Sequence, residues 1–236
     1  MDAIRKQKIS EDNLIEIKND PSDVIRQTLE NERLFRLNEK LYAAALTGRY
    51  DEIINIIEAG ANLYLHEGAE IHAFDNDENT LLHIAARKGY LDIVELLISK
   101  GSKVTFKNRR EQTPLHWAIH NGHKNIIEYL VTNGADIETS DCEGDTALAW
   151  AAYMGHTSIV KYLYKIGAKI NVQNKIGNTP LHWAAYKGYS DIVDCLINFG
   201  ADLYARNNED HTPLDCAKEN GHVQTVRFLV DLMIKK

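Results

Sequence analysis

Histidine and acidic side chains are the first residues of this sequence to test for chemistry, and their spacing gives little support to metal binding. His116 and His120 are four residues apart, which places them on one face of a helix, but a third ligand would have to come from His123 or a neighbouring unit. Residues 75–79 match a calcium loop only in part, because the positions of its glycine and bidentate glutamate hold Thr80 and Ala86. We therefore predict no metal and no other cofactor.

The sequence also lacks the motifs of common catalytic and nucleotide-binding sites. It contains no GxxxxGK[ST] phosphate loop, no GxSxG elbow, no HExxH and no CxxC. The net charge of −7 argues against a nucleic-acid partner, and three scattered cysteines indicate a reducing compartment. We predict that the chain is not an enzyme. The minor alternative, an unfamiliar active site, would need a pocket with convergent polar groups.

Aromatic side chains point to binding instead. Trp117, Trp150 and Trp183 are all the tryptophans of the chain, and they are 33 residues apart. The positions three and four residues after this slot lie about one helical turn further on, near the same side of the helix. In four successive units these positions hold Arg87 and Lys88, His120 and Asn121, Tyr153 and Met154, and Tyr186 and Lys187. We predict that these side chains form a partner-binding strip, although the tryptophans could instead pack between helices.

A 33-residue period sets the positions of these side chains. Related phrases begin at Thr80, Thr113, Thr146, Thr179 and Thr212, and they read TLLHIAA, TPLHWAI, TALAWAA, TPLHWAA and TPLDCAK. A weaker copy contains Leu41, Gly48 and Gly60, with about eight extra residues before the next unit. A period of this size marks a stacked array in which each unit buries its apolar face only against its neighbours.

Each phrase predicts a short helix with a defined start and end. The threonine can cap the first turn, and prolines follow it at 114, 180 and 213, where a helix loses no hydrogen-bond donor. The glycine after the phrase favours a left-handed helix end. A second helix follows, with apolar pairs one turn apart, such as Ile159-Val160 and Tyr162-Leu163.

The recurring phrase, the glycine pair and the GADI-type stretch resemble the ankyrin-repeat family over roughly residues 37–236. The resemblance implies an all-α repeat solenoid of six ankyrin repeats, each a helix–turn–helix unit with a β-hairpin finger. The units are expected at about 37–75, 76–108, 109–141, 142–174, 175–207 and 208–236, with a loop insertion at 63–72 in the first.

Two departures from this pattern stand out. The fingertip glycine of Gly144 and Gly177 is replaced by Glu78, Glu111 and Asp210, so we expect those tips to form another kind of turn. In the fourth unit Ala147 replaces proline and Ala149 replaces histidine.

The two ends of the chain differ from the repeats. Residues 1–36 are predicted to be an N-terminal tail and capping helix, with residues 1–19 either part of the cap or flexible. The last helix is unusually apolar for an outermost unit, which leaves it exposed or available to a partner.

Positive charge is concentrated on the fingers. Lys107, Arg109 and Arg110 lie on one finger, and Lys175 and Arg206 on later ones. On an acidic protein this basic edge would steer an acidic partner segment, although simple solvation of the charges is the alternative.

We predict a non-enzymatic protein–protein interaction module that binds its partner through the concave groove and the fingers, as an adaptor or scaffold. The alternative is a homo-oligomer assembled through the apolar C-terminal helix, although a monomer is favoured over a homodimer. Because there is no signal peptide of the ordinary kind and no long apolar run, we expect a cytoplasmic protein with no membrane partner. The family is also widespread in host-associated bacteria, so an effector delivered into a host cell is a further hypothesis.

Overall fold

The computed structural model describes residues 75–235 continuously, together with scattered positions between residues 25 and 56. Residues 75–235 form five successive pairs of helices. Their bounds are Leu81–Lys88 (α1) and Leu91–Ser99 (α2), Pro114–His120 (α3) and Lys124–Thr132 (α4), Ala147–Met154 (α5) and Thr157–Lys165 (α6), Pro180–Lys187 (α7) and Ser190–Asn198 (α8), and Pro213–Glu219 (α9) and Val223–Lys235 (α10).

The first helix of each pair begins where the sequence predicts. The threonine at each start is the N-cap residue, and at Thr80 its hydroxyl accepts a hydrogen bond from the backbone N–H of His83 at 3.4 Å. The His83 ring completes the cap, because its Nδ1 accepts from the Thr80 N–H at 3.1 Å. Helices α1, α5 and α7 end at glycines with φ of 84°, 83° and 76°, which confirms the predicted left-handed ends.

The helices pack in two rows that repeat from unit to unit. The first helices touch in the order α1, α3, α5, α7 and α9, and the second helices extend the stack on the other side. Small residues allow the close approach of the first row, since Ala85, Ala118, Ala151, Ala184 and Ala217 are completely buried. The apolar pairs of the second helices close the core between the rows. This arrangement confirms an all-helical repeat architecture.

The fingers are hydrogen-bonded turns, at residues 75–79, 108–112, 141–145, 174–178 and 207–211. The first side chain of each turn accepts hydrogen bonds from backbone N–H groups two and four residues later, as Asn108 does from Arg110 and Gln112 at 2.9 Å. Neighbouring fingers share one backbone hydrogen bond, as from the Cys142 N–H to the Arg110 carbonyl at 2.8 Å.

Two expectations about the fingers are therefore wrong. No strand is present within residues 75–235 apart from an isolated bridge residue at Thr80, because the backbone pairing inside each finger ends with its tip turn, as between the Asn108 N–H and the Gln112 carbonyl at 2.9 Å. Glu78, Glu111 and Asp210 adopt φ of 62°, 56° and 63°, the same left-handed turn as Gly144 and Gly177. The side-chain bonds inside the turn offset the roughly 1–2 kcal/mol that this conformation costs a non-glycine residue.

The N-terminal part is described only at scattered positions. Ala44 and Ile53 are buried in the common core, and Gly48 has φ of 70° and lies against the Tyr90 ring. These features fit the weak first copy, while the total of six units stays a prediction. Ile25 and Leu29, in the predicted cap, are helical and exposed; the segment 1–19 and the insertion at 63–72 lie outside the described residues.

Candidate functional site

The histidines of the repeated phrase hold the scaffold together. In His83, Nδ1 accepts from the Thr80 N–H, so Nε2 carries the proton and donates to the Gln112 carbonyl at 3.0 Å. His182 repeats this contact with the His211 carbonyl at 3.0 Å. Burial lowers the pKa of His83 and of His116 to about 4, so both rings are neutral at pH 7.

A second set of histidines ties successive units together. Nε2 of His123, His156 and His222 lies 3.0, 3.3 and 2.8 Å from backbone carbonyl oxygens of the preceding unit. These contacts give the histidines of the repeats a structural role. The described residues contain no group of three or more histidine, cysteine, aspartate or glutamate side chains that could hold a metal ion. The Nδ1 of His116 accepts from the Thr113 N–H, and the exposed His120 ring lies against Trp150.

The three tryptophans anchor their indole N–H groups on the fingers. The Nε1 of Trp117 donates to Gln112 at 3.1 Å, and the Nε1 of Trp150 donates to Asp141 at 3.0 Å. The Nε1 of Trp183 reaches back to Asp145 of the preceding finger, at 2.8 Å. These hydrogen bonds connect each indole to a finger. All three rings are half-buried, so they also contribute to the surface made by the first helices and the fingers, which is here called the inner groove.

A cavity of about 610 Å³ lies in this groove between α5 and α7 and is here called the acidic pocket. Its lining includes three carboxylates and four aromatic rings: Asp141, Glu143, Asp145, Trp150, Tyr153, Trp183 and Tyr186. Arg110, Gln112, Cys142 and Ala149 complete it.

The aromatic rings of the acidic pocket support one another edge to face. The Trp183 ring lies 5.2 Å from Tyr153 and 5.9 Å from Tyr186, both nearly perpendicular to it. The Lys187 Nζ sits 4.2 Å from the centre of the Tyr153 ring, in a cation–π contact.

Burial also shapes the electrostatics of this pocket. Burial raises the pKa of Asp145 to about 6, and the charge of Asp141 adds to the rise, although the hydrogen bond from Trp183 opposes it. Desolvation, followed by the charges of Asp141 and Glu143, raises the pKa of the Cys142 thiol. Of the three free cysteines, Cys216 is buried, whereas Cys142 and Cys195 are half-buried.

A smaller cavity of about 210 Å³ adjoins the first and is here called the basic pocket. Arg87 covers the Trp117 ring, with its Cζ 4.8 Å from the ring centre. Arg110, Gln112 and Trp150 line both pockets, so the two cavities share a wall. His116, Trp117 and His120 complete the basic pocket, which contains no carboxylate.

The structure brings together about half of the residues predicted for partner binding. The two pockets contain Arg87, Arg110, Trp117, His120, Trp150, Tyr153, Trp183 and Tyr186. Lys187 flanks them, whereas Lys88, Arg109, Asn121, Met154 and Lys175 line neither.

Most of the predicted basic edge is already paired. Arg109 contacts Glu78 at 3.2 Å, Lys107 contacts Glu111 at 3.4 Å, and Arg206 contacts Asp210 at 2.7 Å. These exposed pairs weaken the case for an acidic partner along the fingertips.

Sequence reasoning missed the acidic floor of the larger pocket. Asp141 and Asp145 were not singled out, although Asp145 occupies a slot filled by Asn79, Gln112, Asn178 and His211 in the other fingers. The signal in the sequence is a carboxylate at a position of the 33-residue period that holds an amide or a histidine in the other fingers.

The comparison with protein families agrees with the geometry. A family model described as ankyrin repeats (3 copies) matches residues 17–108, 82–174 and 166–236. The chain belongs to the ankyrin-repeat family. Ankyrin repeats are generally protein–protein interaction modules, and the family is generally non-enzymatic. A search of curated proteins finds no match to this chain. Among the described residues, no helix is long and apolar enough to cross a membrane.

Proposed function

We propose that this ankyrin-repeat chain is a non-catalytic adaptor or scaffold whose inner groove binds a segment of another protein. The observation that carries the proposal is the pair of adjoining pockets, which exposes aromatic rings from three successive units on one surface. Aromatic side chains are enriched at the centres of protein interfaces, where their removal weakens binding most.

The side chains that best test this proposal are Tyr153 and Tyr186. They line the acidic pocket but lie outside the fully buried core, and Tyr186 is 40% exposed. Replacing both with alanine is therefore expected to lower affinity while changing the melting temperature by only a few degrees.

A random 12-residue peptide library displayed on phage can supply ligands for the test. Peptides selected on the whole chain should bind the Tyr153→Ala, Tyr186→Ala double variant at least about tenfold more weakly. Tyr164→Ala is a matched control, because Tyr164 is 41% exposed on α6, away from the groove. Selected peptides that bind the double variant as well as the original chain would contradict the proposal.

A homodimer through the last helix is the second candidate. The observation that favours it is the exposure of Val223 and Ile234 of α10, whose surfaces are 70% and 78% exposed. Most of that helix is already occupied, since Leu229 is completely buried and Phe228 and Leu232 pack on the core. Light scattering at tens of micromolar separates the two candidates, because a clean monomer contradicts the dimer.

A further inference from the structure

We propose that the inner groove recognises a segment that carries an arginine close to an aspartate or glutamate, with the arginine in the acidic pocket and the carboxylate in the basic pocket. The assignment rests on the proposed function of the groove and adds the chemistry of the partner. It follows from the pattern of the repeats, from charge, and from an available hydrogen-bond acceptor.

The repeats depart from their own pattern at the acidic pocket. Asp145 is a carboxylate in a finger slot that elsewhere holds an amide or a histidine, and Ala149 takes a slot that holds histidine in three other units. Both departures line the same cavity. Ala149 has a smaller side chain than the histidine of the other units, so it fills less space at this position of the lining.

Both departures work against stability. The buried hydroxyl of Thr146 has no hydrogen-bond partner, whereas the equivalent Thr179 interacts with the His182 ring at 2.8 Å. The Asp145 carboxylate is partly desolvated beside Asp141, while the next finger folds with the neutral Asn178 in the same slot. Features that the fold does not require, gathered at one cavity, are typical of a binding site.

The charges of the two pockets are opposite. The acidic pocket contains three carboxylates and one cation, Arg110, whereas the basic pocket contains Arg87 and Arg110 and no carboxylate. Within the described part of the chain, neither arginine forms an ion pair. A ligand that desolvates these groups must bring the complementary charges, a cation to the first pocket and an anion to the second.

One carboxylate oxygen remains free to receive the cation. The Oδ1 of Asp145 accepts from Trp183 and from the Asn174 amide, at 2.8 and 3.0 Å. Its Oδ2 accepts no hydrogen bond among the described residues and is not sealed from solvent. A guanidinium could donate to this oxygen while its plane lies against the surrounding rings, which is why arginine fits better than lysine.

The two charges must come from one short stretch of the partner. Arg110, Gln112 and Trp150 form the wall between the pockets, so a segment crossing that wall would place its basic and acidic side chains a few residues apart.

The composition of peptides selected from the random library tests this assignment. Enriched sequences should contain arginine two to five residues from aspartate or glutamate. In one synthetic peptide of this kind, replacing the arginine with the neutral isostere citrulline should lower affinity about tenfold or more.

Variants of the protein provide the complementary measurement. Asp145→Asn should lower affinity for the arginine peptide about tenfold and leave the citrulline peptide unaffected, while Arg87→Gln should weaken binding only when the peptide keeps its carboxylate. Asn178→Asp, which places a carboxylate in the equivalent slot of the next finger, is the matched control and should not weaken binding.

The possible failures are distinguishable. Peptides that lack a basic residue but lose binding on Tyr153→Ala, Tyr186→Ala would overturn the present assignment and leave the proposed function standing. Enrichment of lysine instead of arginine would overturn the guanidinium assignment. Peptides indifferent to both tyrosines, or no enrichment at all, would count against the groove as a binding surface.

Discussion

The fourth and fifth predicted units, at about residues 142–174 and 175–207, build the same backbone from different side chains. The fingertip turns that lead into them, at residues 141–145 and 174–178, follow one hydrogen-bond pattern, with Asp141 and Asn174 accepting the same pair of backbone N–H groups. The following helices, α5 and α7, both end at a left-handed glycine. The fifth unit then satisfies its polar groups internally, whereas the fourth places a carboxylate and a small side chain against a cavity.

The hydrogen bonds between neighbouring fingers form with either an amide or a carboxylate as the acceptor. The amide of Asn174 donates to Asp145 of the preceding finger, and Asn207 donates in the same way to Asn178. Asp141 cannot donate, and it accepts from Trp150 instead. The fold accepts an amide in the slot of Asp145, as Asn178 shows, so the Asp145 carboxylate calls for an explanation outside folding.

The largest expected effect is destabilisation by acid, which the buried histidines cause. Ala149, which takes the place of histidine in its unit, makes no such contribution. His83 and His116 have a pKa of about 4 in the folded chain and 6.5 in the unfolded chain, so the unfolded state binds more protons between these values. The free energy of unfolding is therefore unaffected by protonation of these rings above pH 6.5, and it falls by about 3 kcal/mol for each ring as the pH drops to 4.

Urea unfolding at pH 7, 5.5 and 4.5 checks this prediction. The free energy of unfolding should fall steadily, and replacing His83 with glutamine should flatten the curve. A stability that stays level from pH 7 to 4.5 would show that the rings are not held neutral.

Exchanging the side chains at 149 and 182 comes next in size. His182→Ala removes a buried ring that contacts Thr179 and the His211 carbonyl, and should destabilise the chain by about 2–4 kcal/mol. Ala149→His gives Thr146 the cap partner that it lacks, and should stabilise by about 1 kcal/mol while shrinking the acidic pocket. Thermal melts of both variants test the exchange, and a loss of stability in Ala149→His would mean that the cavity cannot accept the ring.

The fingertip glycines should respond unequally to substitution. A Cβ at Gly177 would lie 2.7 Å from the Asn208 backbone nitrogen, whereas at Gly144 the nearest backbone atom, the Lys175 nitrogen, would be 3.0 Å away. Because both positions have left-handed φ, each alanine is strained, but Gly177→Ala should cost about 2–3 kcal/mol and Gly144→Ala about 1–2 kcal/mol. Chemical denaturation of the two variants gives the order, and equal losses would show that the fingers shift freely.

The smallest effect is expected at Asp145. Its folded pKa of about 6 lies above the unfolded value of 3.8, so the charged form destabilises the chain at pH 7 and the penalty fades as the pH falls below 6. Asp145→Asn should therefore stabilise by about 1 kcal/mol at pH 7, after allowance for partial exposure, and by little at pH 4. Unfolding curves of both chains at the two pH values measure this, and an advantage independent of pH would refute the assigned cause.

The regular part of this molecule is readable from the sequence because it is local. Thr80 and Gly89 delimit α1 through contacts within one helix, and the 33-residue phase carries the same logic to the other units. The fingertip turns were misjudged because the side-chain bonds within them, which hold Glu111 at positive φ, cannot be read from residue type alone.

The candidate site was only partly predictable because it forms between units. The phase of the repeats pointed to Trp183 and Tyr186, but the contact from Trp183 to Asp145 spans 38 residues and depends on how the units stack. The sequence also does not show which charges are paired, since Lys107, Arg109 and Arg206 form ion pairs in the structure.

The indole of Trp183 has a mechanical consequence. Trp183 belongs to one unit, and its indole N–H donates to Asp145 of the preceding finger. A ligand bound at that junction would therefore contact both units and restrain their relative motion. In hydrogen–deuterium exchange, backbone amides on either side of the junction should then exchange more slowly, while the exchange rates in the outer units stay unchanged.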